Sequence, residues 1–254
     1  GRLLNLSNFI KQSNARIDLA VAYRTASRFG MAEGICNHFT MAVPGEEDRF
    51  FLIPYGLHWS EVCASDFVVV DGKGNKISGE GYVEPTAFHI HGAIHEFRPD
   101  AVCVMHTHMK YALTLAIIED GRLLMSDQNA CRFFGRISYM DTYSGLVLDR
   151  EGGIEISSAL GNSDILFLSN HGVIVVGPDI AQAWEDLYYL EQACAAQVSA
   201  MSTGQKLSII DDQTAARVSR EVLQESKGLS SNKDRHFEAL KRILIRDEGN
   251  SFMF

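Results

Sequence analysis

Three histidines carry the most specific chemistry in this sequence: His106 and His108 in CVMHTH, and His171 in FLSNHGVIVVG. The apolar run from Ala101 to Met105 predicts a strand leading into the first pair. Side chains alternate along a strand, so His106 and His108 leave from the same side and can aim at one point. His171 lies on an Asn-His-Gly turn between two further apolar runs and can complete a facial three-imidazole site. Three protein ligands leave coordination positions open for substrate, which suits a catalytic metal and not a closed structural one.

The elements that must hold these residues are legible as alternating patterns. HFTMAV, RFFLIP and DFVVVD read as strands, and DGKGNKI as the turn that follows. ILFLS and VIVVG flank the His171 turn as short central strands. PTAFHIHGAIHEF predicts a helix with Pro85 at its first position, broken at Arg98-Pro99-Asp100. Lys110 to Ile118 predicts another helix leading away from the His106/His108 pair. At the start, Leu19 to Phe29 predicts a helix with Asp18 as its cap and Gly30 as its stop. Asp179 is placed to cap a long helix to Met201, with Ile180, Ala183, Trp184, Leu187, Cys194, Val198 and Met201 on one stripe. From Thr203 the chain turns more polar, with a charged helix near Arg235 to Arg246. This tail can pack on a neighbour, lid a site or stay solvated. There is no internal repeat, and the elements alternate without a regular βαβ period. The expectation is one domain over residues 1–254, a three-layer α/β/α sandwich.

Composition narrows the function classes. Of 254 residues, 46% are hydrophobic and 22% charged, ordinary for a globular protein with a full core. A net charge of -9 leaves no basic footprint, which argues against nucleic acid as a partner. No apolar run approaches a membrane span and the start has no signal-peptide pattern, so a cytoplasmic protein without membrane contact is expected. The five cysteines are scattered without CxxC spacing, which argues against a thiolate metal site. Three of them sit in apolar company and read as buried thiols in a reducing compartment.

Four blocks together, CNHFT, FLIPYGLHWSEVCASD, HGAIHEFRPDAVCVMHTH and SNHGVIVVG, resemble the class II aldolase/adducin family, in order and over about Ala20 to Met201. The resemblance implies an α/β/α sandwich around a mostly antiparallel sheet, and a homotetramer with active sites between subunits. It also implies that His106, His108 and His171 bind a divalent metal. Zinc or manganese is expected, with iron also compatible with imidazole ligation. The departures from the family pattern are informative. Sugar-phosphate aldolases of the family carry a catalytic Glu where this chain has Ala87, and the nearest carboxylate, Glu84, lies before Pro85. Their phosphate-binding Gly-Asn, Thr-Gly and Ser-Ser are here Cys36-Asn37, Phe51-Leu52 and Pro85-Thr86. Small donors that would cradle a phosphate have become bulky or apolar, so a sugar phosphate is not the expected substrate.

The resemblance extends to a branch that decarboxylates hydroxypyridine- and hydroxyphthalate-type acids. Decarboxylation loses carbon dioxide, not a proton, and needs no base at Ala87. It needs a Lewis acid and a proton donor to the ring carbon. His89 is the first candidate donor and His38 the second, although a surface role for His89 and a turn-stabilising role for His38 are equal readings. Asn37, Phe51, Phe88 and Arg132 are candidate substrate contacts, the two Phe as an aromatic wall or as plain core, and Arg132 or Lys110 as the cation for a second carboxylate. His91 reads as a packing or supporting residue, and His95 as structural. Asn170 and Gly172 shape the turn that aims His171. Tyr139, Tyr143 and Asp127 fall in a segment that family enzymes keep near the cleft. The reading is a metal-dependent carbon–carbon lyase, a decarboxylase of a small aromatic or heteroaromatic hydroxy-carboxylate. The alternatives are an aldolase or hydratase for a non-phosphorylated keto-acid, an iron oxygenase, and a non-catalytic adducin-like binding protein.

Overall fold

The computed structural model describes residues 2–225 and 231–254. Helix α1 spans Arg2–Arg28 and is followed by strands β1 (His38–Ala42), β2 (Arg49–Leu52), β3 (Val68–Asp71) and β4 (Lys76–Ser78). Helix α2 (Pro85–Phe97) leads to β5 (Cys103–Thr107), then α3 (Lys110–Ala116), α4 (Gln128–Cys131), β6 (Ile137–Met140) and α5 (Arg150–Leu160). The chain continues through β7 (Ile165–Leu168), β8 (Gly172–Gly177), α6 (Ile180–Met201), α7 (Asp212–Glu225) and α8 (Asn232–Glu248). The eight strands form one sheet in the order β4-β3-β2-β1-β5-β8-β7-β6. β6 pairs with β7 in parallel and the other neighbours are antiparallel. The expected α/β/α sandwich with a mostly antiparallel sheet is therefore what the chain forms.

Strand alternation divides the core into two faces. Phe39, Phe51, Cys103, Met105, Phe167 and Val175 pack under α1, α3, α6 and α8. Val104, Leu166, Ile174 and Val176 pack with Ile90 and Ile94 of α2 and Ile156 and Leu160 of α5. Cysteines 103, 131 and 194 are buried, in line with the apolar company expected for three of the five, and all five are free.

Several boundaries differ from expectation. α1 begins at Arg2, not Leu19, because no Pro or Gly interrupts residues 2–28, and Asp18 is not its cap. Asp18 instead sits within the helix and pairs with Lys241 of α8 at 3.4 Å. At α6, Asp179 does cap, accepting from the Gln182 amide at 2.8 Å. Met201, the last residue of the expected stripe, is 41% exposed and lies past the core. The polar tail packs on its own chain: α8 buries Phe237, Leu240 and Leu244 against α1 and α6. Burial of side chains of this size contributes about 1.5–3 kcal/mol each. Among the described residues, no helix is long and apolar enough to cross a membrane.

Candidate metal centre and active site

β5 aims His106 into a cavity and ends one residue later, so His108 follows from the same side at the strand's mouth. The β7–β8 turn delivers His171 from across the sheet. Asn170 adopts a left-handed conformation (φ 61°) that Asn tolerates, and this tightens the turn. Gly172 follows where the backbones of two strands press together. A Cβ there would run into the Thr107 carbonyl oxygen and come within 3.0 Å of His108 Cδ2. Glycine thus lets the turn approach closely enough to bring His171 beside the other two rings.

The three ring centroids are 5.0, 4.8 and 4.8 Å apart, and one nitrogen from each lies within 4.8 Å of the others. The Nδ1 of His106 donates to the Val173 carbonyl at 3.0 Å. The Nδ1 of His108 donates to the Glu33 carboxylate at 2.8 Å. Both bonds place a proton on Nδ1, and in a neutral ring that tautomer leaves Nε2 as the lone pair. The Nε2 of His108 is buried without a hydrogen-bond partner among the described residues. Burial first, then the neighbouring rings, keep His106 well below the ordinary imidazole range and hold His171 at about 4. Convergent imidazole nitrogens, one orphaned, with carboxylate and carbonyl support behind them, fit a divalent ion.

The trio opens on a cavity of about 400 Å³ between β1, the start of α2 and the loop through Leu146. Tyr55 and Tyr82 form an aromatic side, edge to face at 6.3 Å, and Ile53, Pro54 and Leu146 add apolar wall. Among the described residues no Lys or Arg lines it. Ala87 stands at its floor as a buried methyl group. Glu84 also borders the cavity but is the N-cap of α2, and its two oxygens accept from the Thr86 and Ala87 amides at 3.0 and 2.9 Å.

His38 and Asn37 line this cavity, as the sequence suggested. His38 faces His106 across the β1–β5 ladder, with ring centroids 5.3 Å apart. It is the first residue of β1, where the strand reading of HFTMAV places it. Burial and the nearby His108 and His171 rings lower it to about 3. Its Nδ1 meets His91 Nε2 at 2.6 Å, and His91 Nδ1 meets the Thr40 hydroxyl at 2.5 Å. The same hydroxyl lies 2.7 Å from His95 Nε2, and His95 Nδ1 lies 3.1 Å from the Ala101 carbonyl. Asn37 has a left-handed backbone (φ 70°) and is 6% exposed. Neither polar atom of its amide has a partner among the described residues.

Five expected contacts lie elsewhere in the chain. His89 is two residues before His91, about 200° around the helix, and turns away from β1. Its ring rests on Phe88 at 5.2 Å. Phe88 stacks with Phe50 at 6.4 Å, outside the cavity lining. Phe51 is fully buried on the α1 face, under the Arg16 guanidinium at 4.5 Å, whereas the cavity lies on the α2 face. Arg132 lies over the Tyr189 ring at 3.7 Å and 3.9 Å from Glu185, held where α4 meets α6. Lys110, at the start of α3, sits over Tyr111 and also misses the cavity. Tyr139 stacks on Phe167, and Asp127 caps α4. Tyr143 is nearer the site, 6.3 Å from the His171 ring. Glu33, Thr40, Tyr55 and Tyr82 had drawn no attention, since neither their spacing nor their neighbours distinguish them in the sequence.

Residues 17–198 match the family model described as Class II Aldolase and Adducin N-terminal domain. A protein of Caulobacter vibrioides named for aldolase class 2 is 35% identical over 216 residues, covering 85% of this chain and 83% of that one. Alpha-adducin of Rattus norvegicus is 35% identical over 192 residues, which are 74% of this chain but 26% of the adducin. The crystal structure of an aldolase II superfamily protein from Pseudomonas syringae superposes with a TM-score of 0.87 at 31% identity, covering 96% of each chain.

Proposed function

This chain belongs to the class II aldolase and adducin family, and from that membership we propose a divalent-metal-dependent carboxy-lyase acting on an aromatic or heteroaromatic hydroxy-carboxylate. His106, His108 and His171 would hold the metal, zinc or manganese first and iron third. A bound ion would supply a Lewis acid for the substrate's oxygens and for the negative charge that develops as the carboxylate leaves.

The observation that carries the reading is the pairing of this trio with a cavity whose own carboxylate is tied down. Glu84 spends both oxygens on the α2 amides, and Ala87 cannot take a proton. Removing a carboxylate does not call for a carboxylate base at that place. It calls for a group that moves a proton at the ring, and the neutral imidazole of His38 is the candidate within the cavity. His89 is withdrawn from that role by its position on the far side of α2. The capping of α2 by Glu84 also removes the amides that a phosphate would use, which supports a substrate without phosphate. Without a Lys or Arg in the lining, the favoured substrate carries one carboxylate beside a ring hydroxyl, and Asn37 is placed to meet its polar edge.

We assign the protein to the cytoplasm, consistent with its free cysteines, and as a homotetramer, consistent with exposed Tyr55, Tyr82 and Leu146 at the cavity mouth. The test is carbon dioxide release from hydroxybenzoates and hydroxypyridine carboxylates by protein loaded with zinc, manganese or iron. Release from one of them supports the decarboxylase. An aldehyde or keto product from a keto-acid, without carbon dioxide, moves the assignment to aldolase chemistry. The match to alpha-adducin favours a second reading, a non-catalytic binding domain. Failure to take up metal after reconstitution would select it.

A further inference from the structure

We propose that Thr40, His91 and His95 form a one-way hydrogen-bond chain that locks His38 in a single tautomer, with its Nε2 lone pair facing the cavity to accept a hydrogen bond from the substrate's hydroxyl. The proposal rests on the reading above, in which His38 handles the reaction's proton.

The direction follows from the far end. A carbonyl oxygen can only accept, so His95 Nδ1 donates to Ala101 across 3.1 Å. In neutral His95 the other nitrogen, Nε2, is then an acceptor, and the Thr40 hydroxyl must donate to it across 2.7 Å. Having given its only proton, Thr40 Oγ1 accepts from His91 Nδ1 at 2.5 Å. His91 Nε2 is left as an acceptor for His38 Nδ1 at 2.6 Å. His38 therefore carries its proton on Nδ1, and its lone pair lies on the opposite flank of the ring, where the residue's 8% exposure and its place in the cavity wall are found. Reversing any link while the rings stay neutral would leave two acceptors facing each other, at Ala101, at Thr40 or between the rings. His91 and Thr40 are fully buried, so water has no access to repair a broken link.

The fold builds this chain from two periodicities. His38 and Thr40 are two apart on β1 and share its α2 face. His91 and His95 are four apart on α2 and share its β1 face. Phe50 stacks on the His95 ring at 5.0 Å and fixes its plane. Burial keeps His91 and His95 neutral, which the one-way chain requires.

The substrate's ring O–H donates to His38 Nε2, and its proton passes by that nitrogen to the ring carbon bearing the carboxylate without a stable imidazolium, because burial holds His38 neutral. The O–H bond breaks as C–H forms, and the ring becomes a ketone. The C–C bond breaks, carbon dioxide leaves, and the electron pair returns to the ring as phenolate, which takes a proton from solvent.

The test reads tautomers directly, by two-bond 15N–1H NMR of the zinc-loaded full chain labelled with [15N]histidine, with His38→Gln to assign the His38 signals. Nδ1–H on His38, His91 and His95 is the expected result, and Nε2–H on His38 overturns the proposal. Thr40→Val should release His38 into a tautomer mixture, while Thr40→Ser should keep Nδ1–H. An unchanged His38 signal in a folded Thr40→Val protein also overturns it. On an active substrate Thr40→Val should lower kcat about tenfold with KM unchanged, rescued by Thr40→Ser. Because the tautomer signal needs no substrate, a correct tautomer with no carbon dioxide release would count against the decarboxylase alone.

Discussion

Two histidine clusters meet at His106 and His38, and they differ in what is left over. In the trio, backbone and carboxylate partners take up Nδ1 of His106 and His108, and one nitrogen from each ring converges on the others, that of His108 without a partner among the described residues. In the buried chain, every nitrogen of His91 and His95 is spent on a neighbour in the fold. Unspent lone pairs mark a place where something binds, and spent ones mark a place where something is held. The same residue type serves both ends, and burial keeps members of both clusters neutral, so position in the hydrogen-bond network decides the role.

Removing a converging nitrogen should have the largest effect. His108→Ala is expected to abolish metal binding, measured by elemental analysis, while the position at the end of β5, outside the apolar core, leaves the domain folded by circular dichroism. Normal metal content in that variant would break the contrast, because the trio would then be no more a binding site than the chain is. Glu33→Gln keeps the ligand but weakens its support, and should reduce metal affinity about tenfold in a competition titration. No change would show that the 2.8 Å contact to His108 is incidental.

The acid limb of stability sharpens the comparison further. Burial lowers His95 to about 4, against about 6.5 for imidazole in an unfolded chain. Below pH about 6.5 the folded state therefore binds fewer protons than the unfolded one. Stability of the metal-free protein should be level above that point and fall as pH drops towards 4, followed by urea denaturation. His38, His91, His106 and His171 are lowered in the same direction, so His95→Gln should make that limb shallower without removing it, and an equally steep fall in the variant would mean His95 does not contribute to it. The smallest effect is expected from Ala87→Glu, which should leave carbon dioxide release unimproved. A large gain would show that the cavity wants a carboxylate base after all.

The trio was legible because both its determinants are local: a strand of period two ending in His-x-His, and a tight Asn-His-Gly turn. The sandwich was legible for the same reason, from short apolar strands alternating with helices. What escaped depends on relations between elements. In RFFLIP one of two adjacent Phe must face α1, and only the register of β2 in the sheet decides that it is Phe51. His89 and His91 are equally plausible until the rotation of α2 against β1 is known. Glu33 reaches His108 across 75 residues of sequence, with no periodicity to announce it. Arg132 looked like a free cation, but its aromatic platform and its carboxylate partner both come from α6.

Asn37 has a consequence for selectivity. Apolar walls such as Ile53 and Leu146 distinguish ligands by size only, about 10- to 200-fold per methylene. A buried amide that offers a donor and an acceptor rejects any ligand that leaves it unanswered, and such sites discriminate by as much as about 10⁴-fold. Analogues that keep the ring but lose its polar edge should therefore be poorer ligands than analogues that keep the edge and change the ring.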